Sequence, residues 1–77
     1  MIPVEINAGA WYLRTLRDEQ WVADTCYAWA VCEPTTGEMF AEVTVDPGTG
    51  ELTVRGDATA GEVGAEAVRR FLLQLVP

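Results

Sequence analysis

Seventy-seven residues, 49% of them hydrophobic, allow one packed core and exclude both a second domain and a disordered chain. The net charge is −7, and the five basic residues (Arg14, Arg17, Arg55, Arg69 and Arg70) are scattered. Nucleic acid and anionic membrane surfaces are therefore poor partners, whereas a basic protein surface is compatible. His, Ser and Lys are absent, which removes the usual general base, the Ser-based triads and Schiff-base catalysis.

Ile2, Val4 and Ile6 alternate with polar or turn-compatible residues, which predicts a first strand over Ile2–Ile6 and a turn at Asn7-Ala8-Gly9. Ala10 to Leu16 follows with Trp11, Tyr12 and Leu13. A strand hairpinned onto the first is expected there, with helix as the alternative. Arg17 to Asp24 reads as a brief helix: Asp18 and Glu19 suit a first turn, and Trp21 and Val22 would pin it to the core.

Thr25 to Glu33 is the most apolar stretch. Tyr27, Trp29 and Val31 share one face of a strand, and Cys26, Ala28, Ala30 and Cys32 share the other, so a central strand covered on both sides is expected. The small face would let a helix approach, leaving the large face for another layer or a second subunit. Pro34-Thr35-Thr36-Gly37 turns the chain into Met39–Val45, where Met39, Ala41, Val43 and Val45 share a face opposite Phe40, Glu42 and Thr44. Asp46-Pro47-Gly48-Thr49-Gly50 is the clearest turn, with Pro47 setting φ and Gly48 and Gly50 able to supply positive φ. Beyond it Leu52 and Val54 face inward, while Glu51, Thr53 and Arg55 face outward.

Thr59-Ala60-Gly61-Glu62 fits a capping box at the start of a helix from about Ala60 to Leu75. Its apolar stripe runs through Gly64, Ala67, Val68, Phe71, Leu72 and Leu75, and Pro77 lies beyond the helical pattern. The expected architecture is a single α+β domain over residues 1–77: a small antiparallel meander with the C-terminal helix packed on one face.

Two stretches resemble the GNAT acetyltransferase superfamily, in the branch that modifies protein N-termini. Val4-Glu5-Ile6-Asn7-Ala8-Gly9 with Tyr12-Leu13-Arg14 is similar to that branch's opening. Ala28 to Glu38, running into Ala41-Glu42-Val43, is similar to its central hairpin. The resemblance covers about a third of the chain and implies a truncated GNAT-like fold, the two long helices between these stretches being reduced to one short segment. Where the acetyl-CoA loop would lie, Ala58 replaces the leading Arg/Gln and Val63 replaces the closing Gly/Ala. The resemblance thus implies a fold without its catalysis, and no catalytic residue is carried over. The alternative it leaves is a minimal acyl-CoA-binding or acetyltransferase-like domain, with Gly61 and Gly64 as cofactor-binding residues and Cys32 or Tyr27 nearest the chemistry.

Other constellations point to scaffold. Cys26 and Cys32 would stand roughly 20 Å apart on an extended strand, beyond disulfide reach, and two thiols without His make a poor metal site. Glu38, Glu42, Asp46 and Glu51 lie along one hairpin, where Glu42 and Asp46 alternate with apolar residues as a solvated face does. Trp11, Trp21 and Trp29 suit core packing or a small-ligand pocket. No signal-peptide core or membrane run precedes the cysteines, so a cytoplasmic setting is expected. Neither a cofactor nor a metal is expected. The reading is a non-catalytic interaction or regulatory module, binding a protein partner or self-associating as a homodimer through Tyr27, Trp29 and Val31, or through the sheet edges Ile2–Ile6 and Gly50–Arg55 with Leu52 and Val54.

Overall fold

The computed structural model describes residues 1–75. Five strands form one antiparallel sheet in chain order: β1 (Ile6–Ala8), β2 (Trp11–Leu16), β3 (Tyr27–Cys32), β4 (Met39–Val45) and β5 (Leu52–Gly56). A short helix α1 (Asp18–Val22) joins β2 to β3, and the long helix α2 (Ala58–Leu75) packs across the sheet. The chain is therefore an α+β meander with its C-terminal helix on one face. Pro77, expected beyond that helix, lies outside the described residues.

The first hairpin sits later in the chain than alternation suggests. Gly9 takes φ 71° and Ala10 keeps negative φ, a two-residue type II′ turn whose twist matches the flanking strands. That turn pairs Ala8 with Trp11 and Ile6 with Leu13, and the paired strand starts at Ile6. Residues 1–5 form an arm outside the strands, with Ile2 80% exposed. Trp11–Leu16 is a strand, not a helix.

In α1 only Trp21 is buried; Val22 is 69% exposed and does not pin the helix. Trp21 meets Trp29 edge-on at 4.7 Å between ring centroids, and its indole N–H donates to the Ala28 carbonyl at 3.3 Å. Each large aromatic thus buries its area while its polar atom keeps a partner.

The register places Leu13, Trp29, Val31, Ala41, Val43, Val45, Leu52 and Val54 on one face. Helix α2 packs there, on the large face of β3 and not on the small one. The close approach comes from the helix. A Cβ added at Gly64 would lie 2.5 Å from Val31 Cγ2 and 3.1 Å from Val43 Cγ2, and one at Gly61 would lie 2.6 Å from Val54 Cγ1. Burying Trp29, Val31 and Val43 removes far more apolar area from water than burying alanines would.

Among the described residues the small face has no second layer, because both helices contribute to the Trp29 face. Ala28, Ala30 and Cys32 are nevertheless buried. They are short side chains between Arg14 and Leu16 on one side and Glu42 and Thr44 on the other. The Arg17–Glu42 ion pair, 2.8 Å long, links the end of β2 to β4 across β3. The sheet is one-sided, with a solvated polar back.

Strand β4 is bulged: Val31 pairs with Ala41 but Cys32 pairs with Met39, leaving Phe40 as the extra residue. The bulge breaks the simple alternation. Met39 falls opposite Cys32 and is exposed, while Phe40 packs edge-on against Trp11 at 5.4 Å. The Asp46–Gly50 turn forms as expected, with the Asp46 side chain accepting the Gly48 N–H at 2.8 Å and Gly50 at φ 76°. Gly48 itself does not take positive φ. Helix α2 begins earlier than the capping-box pattern indicates. Asp57 is the cap: its Oδ2 accepts the Ala60 N–H at 2.9 Å, and its carbonyl accepts Gly61 N–H at 2.8 Å. Leu75, placed on the apolar stripe by spacing, is 52% exposed.

Candidate functional site

The interface expected on β3 is largely occupied by the chain itself. Trp29 and Val31 have no exposed surface, lying under α2, and Tyr27 is half-buried against Trp21. The Tyr27 hydroxyl donates to Asp24 Oδ1 at 2.5 Å, and that carboxylate raises the phenol's pKa. Leu52 is half-buried, whereas Val54 is 41% exposed on β5.

Gly61 and Gly64 are buried against the sheet, so their missing side chains admit Val54, Val31 and Val43. Cys32 and Tyr27 are not brought together: they sit at opposite ends of β3 and on opposite faces. Both cysteines are free thiols, Cys32 buried and Cys26 half-buried. Among the described residues no His, Cys, Asp or Glu group is arranged to hold a metal, and no helix is long and apolar enough to cross a membrane. Glu33 is the carboxylate most strongly shifted. It accepts the Thr35 and Thr36 N–H groups at 2.9 and 2.8 Å, which lowers its pKa to about 2 and shapes the Pro34–Gly37 turn.

The sheet's two edges remain. Beside β1 an open groove of about 740 Å³ runs between Val4–Gly9 and α2, with Val63, Ala67 and Phe71 on its helix wall. Glu66 and Arg70 at its rim pair with each other at 2.7 Å. The arm leading into β1 is fastened at several points. The Met1 amino group donates to the Trp21 carbonyl and to Asp24, both at 2.6 Å, and Trp29 Nε1 donates to the Val4 carbonyl at 2.9 Å. Tyr12 donates its hydroxyl to Glu5, and that hydrogen bond raises the phenol's pKa.

The β5 edge is different. The Asp46 N–H donates to the Glu51 carbonyl at 2.9 Å, and the Asp57 N–H donates to the Phe40 carbonyl at 2.9 Å. These bonds at the two ends of the ladder set the same parity. Thr53 and Arg55 direct their backbone groups toward Thr44 and Glu42, while Leu52, Val54 and Gly56 direct theirs outward. Among the described residues, no backbone partner stands beyond that edge. Its side chains are ordered by face: Leu52 and Val54 on the helix side, Thr53 and Arg55 on the polar back. Neither Glu51 nor Arg55 has an ion-pair partner among the described residues.

No family model, curated protein or solved structure matches the chain. The likeness to the acetyltransferases therefore rests on its two sequence stretches.

The alternating pattern of Leu52 to Arg55 was visible in the sequence as a strand. Which backbone groups point outward was not, because that depends on the ladder parity set by Asp46–Glu51 and Phe40–Asp57. The left-handed backbone at Arg17 (φ 51°), which carries its guanidinium toward Glu42, likewise had no sequence signal.

Proposed function

We propose that this protein is a non-catalytic interaction module that engages a protein partner by strand addition at β5. The carrying observation is the open β5 edge: outward backbone groups at Leu52, Val54 and Gly56, with Val54 exposed beside them. A partner strand laid there gains main-chain hydrogen bonds, and Leu52 and Val54 supply an apolar stripe on alternate residues. The missing catalytic residue types, the buried Gly61 and Gly64 and the polar back of the sheet support this reading over an acyl-CoA site.

A displayed library of short peptides tests it. Selected binders should alternate β-branched or aromatic residues with polar ones, and should shift the amide resonances of Leu52, Val54 and Gly56. Val54→Pro removes an outward N–H while leaving the β4–β5 bonds in place, so it should abolish binding with the circular dichroism spectrum retained. Binders that instead map to Val4–Gly9 and Phe71, and survive Val54→Pro, would move the function to the groove.

A further inference from the structure

We infer that the occupant of the β5 edge is a second copy of this chain, paired antiparallel about Thr53. The inference rests on the strand-addition reading above and adds partner and register to it. Two identical edges can pair only where outward residues meet outward residues, because each bonded pair exchanges both main-chain hydrogen bonds. Leu52, Val54 and Gly56 are the outward set, which leaves few overlapped registers.

Centring on Thr53 places Leu52 opposite Val54 as a bonded pair, twice by symmetry. It also places Glu51 opposite Arg55 as a non-bonded pair, again twice, where side chains stand closest. Apolar meets apolar on the helix side, and negative meets positive on the polar back. Both charges lack an intramolecular ion-pair partner among the described residues.

The neighbouring registers are worse: centring on Leu52 sets Val54 against Gly50, Glu51 against Thr53 and Arg55 against Thr49, which leaves one apolar pair and neither charge paired. Centring on Val54 sets Glu51 against Asp57, and centring on Arg55 sets two guanidiniums face to face; like charges directly opposite are destabilising. The two-fold axis of the Thr53 register runs normal to the sheet. It keeps both α2 helices on one face, and their first turns, which follow Gly56, lie at opposite ends of the junction. The product is a continuous antiparallel sheet through both copies.

The interface is small. A strand pair of this length lies at the low end of interface sizes, and each chain carries a net charge of −7. Association is therefore weak and is measured by sedimentation over micromolar to millimolar concentrations at physiological salt.

Glu51→Arg and Arg55→Glu should each weaken the dimer by about tenfold, through two symmetry-related like-charge pairs. These variants move the net charge in opposite directions, so a shared loss separates the pairing from overall repulsion. The double variant should recover the original affinity to within about threefold. In a Cys26→Ala background, Thr53→Cys should cross-link rapidly with diamide, since its Cα atoms would stand about 4.5 Å apart, whereas Val54→Cys should not.

If Val54→Pro abolishes association but the charge reversals leave it unchanged, the register is wrong and strand addition stands. Failure of the double variant to recover, or faster cross-linking of Val54→Cys, also overturns the register. A monomer at every concentration, with selected peptides still binding β5, overturns the second copy alone. Association unaffected by Val54→Pro in a folded protein overturns both.

Discussion

The sheet has two edge strands, and the protein treats them differently. β1 has three residues, and the arm before it is tied down by groups outside the ladder: the Trp29 indole on the Val4 carbonyl, the Tyr12 hydroxyl on Glu5, and the Met1 amino group on Trp21 and Asp24. β5 has five residues, carries no proline or bulge of its own, and directs Leu52, Val54 and Gly56 into solvent. An edge is thus closed by fastening the chain next to it as well as by charge or strand length. The fastening at β1 draws on the aromatic cluster around Trp29 on the central strand.

The largest effect should come from removing the layer that both edges share. Gly64→Val forces a branched side chain into Val31 and Val43, where a Cβ alone already stands 2.5 Å from Val31 Cγ2. The helix must lift, and urea denaturation should show a loss of about 3 kcal/mol. A variant of unchanged stability would mean that α2 does not hold the sheet through this contact.

Trp29→Phe tests the fastening at β1 itself. It removes the donor to the Val4 carbonyl and some buried ring volume, at a cost of about 2 kcal/mol. Hydrogen exchange should rise in residues 2–8 beyond any global change, making β1 more like β5. Uniform acceleration across all strands would show that the arm is not separately fastened.

Acid should distinguish the two edges more gently. The Asp24 carboxyl is held below its usual pKa, first by the Met1 amino group and then by the Tyr27 hydroxyl. A carboxylate with a depressed folded pKa contributes stability that is present above its unfolded pKa and lost as pH falls through the folded one. The arm should therefore loosen below about pH 4, read by exchange at residues 2–5, and Asp24→Asn should remove that dependence. Glu33 obeys the same sign between its usual value of 4.5 and about 2, but acts on the β3–β4 turn and should leave both edges alone.

The smallest effect belongs to the groove beside β1. Glu66→Gln breaks an exposed i,i+4 pair with Arg70 and should cost no more than about 0.5 kcal/mol by thermal denaturation. A larger loss would mark that rim as structural.

Much of the architecture was legible from period and turn chemistry. The alternation through Ala41–Val45 and Leu52–Arg55, the Asp46–Gly50 turn and the helical spacing from Gly64 to Leu72 all agree with their neighbours in the structure, whereas the bulge at Phe40 takes Met39 off the expected face. These are local preferences, set within a few residues by backbone sterics and side-chain periodicity. The misread elements have non-local causes. The chain before Ile6 leaves the ladder with its Val4 carbonyl taken by the Trp29 indole on β3, and Asp57, whose N–H is held by the Phe40 carbonyl on β4, caps the helix in place of Thr59.

The amino-acid sequence by itself determined a small α+β meander with a C-terminal helix, and its composition withdrew the common catalytic groups. Tertiary structure decided which face of β3 the helix covers, because Gly61 and Gly64 open the closest approach over Val54, Val31 and Val43. It also decided which edge stays available. Ladder parity is a property of pairs of strands, so the outward groups of Leu52 and Val54 exist only once Asp46 meets Glu51 and Phe40 meets Asp57.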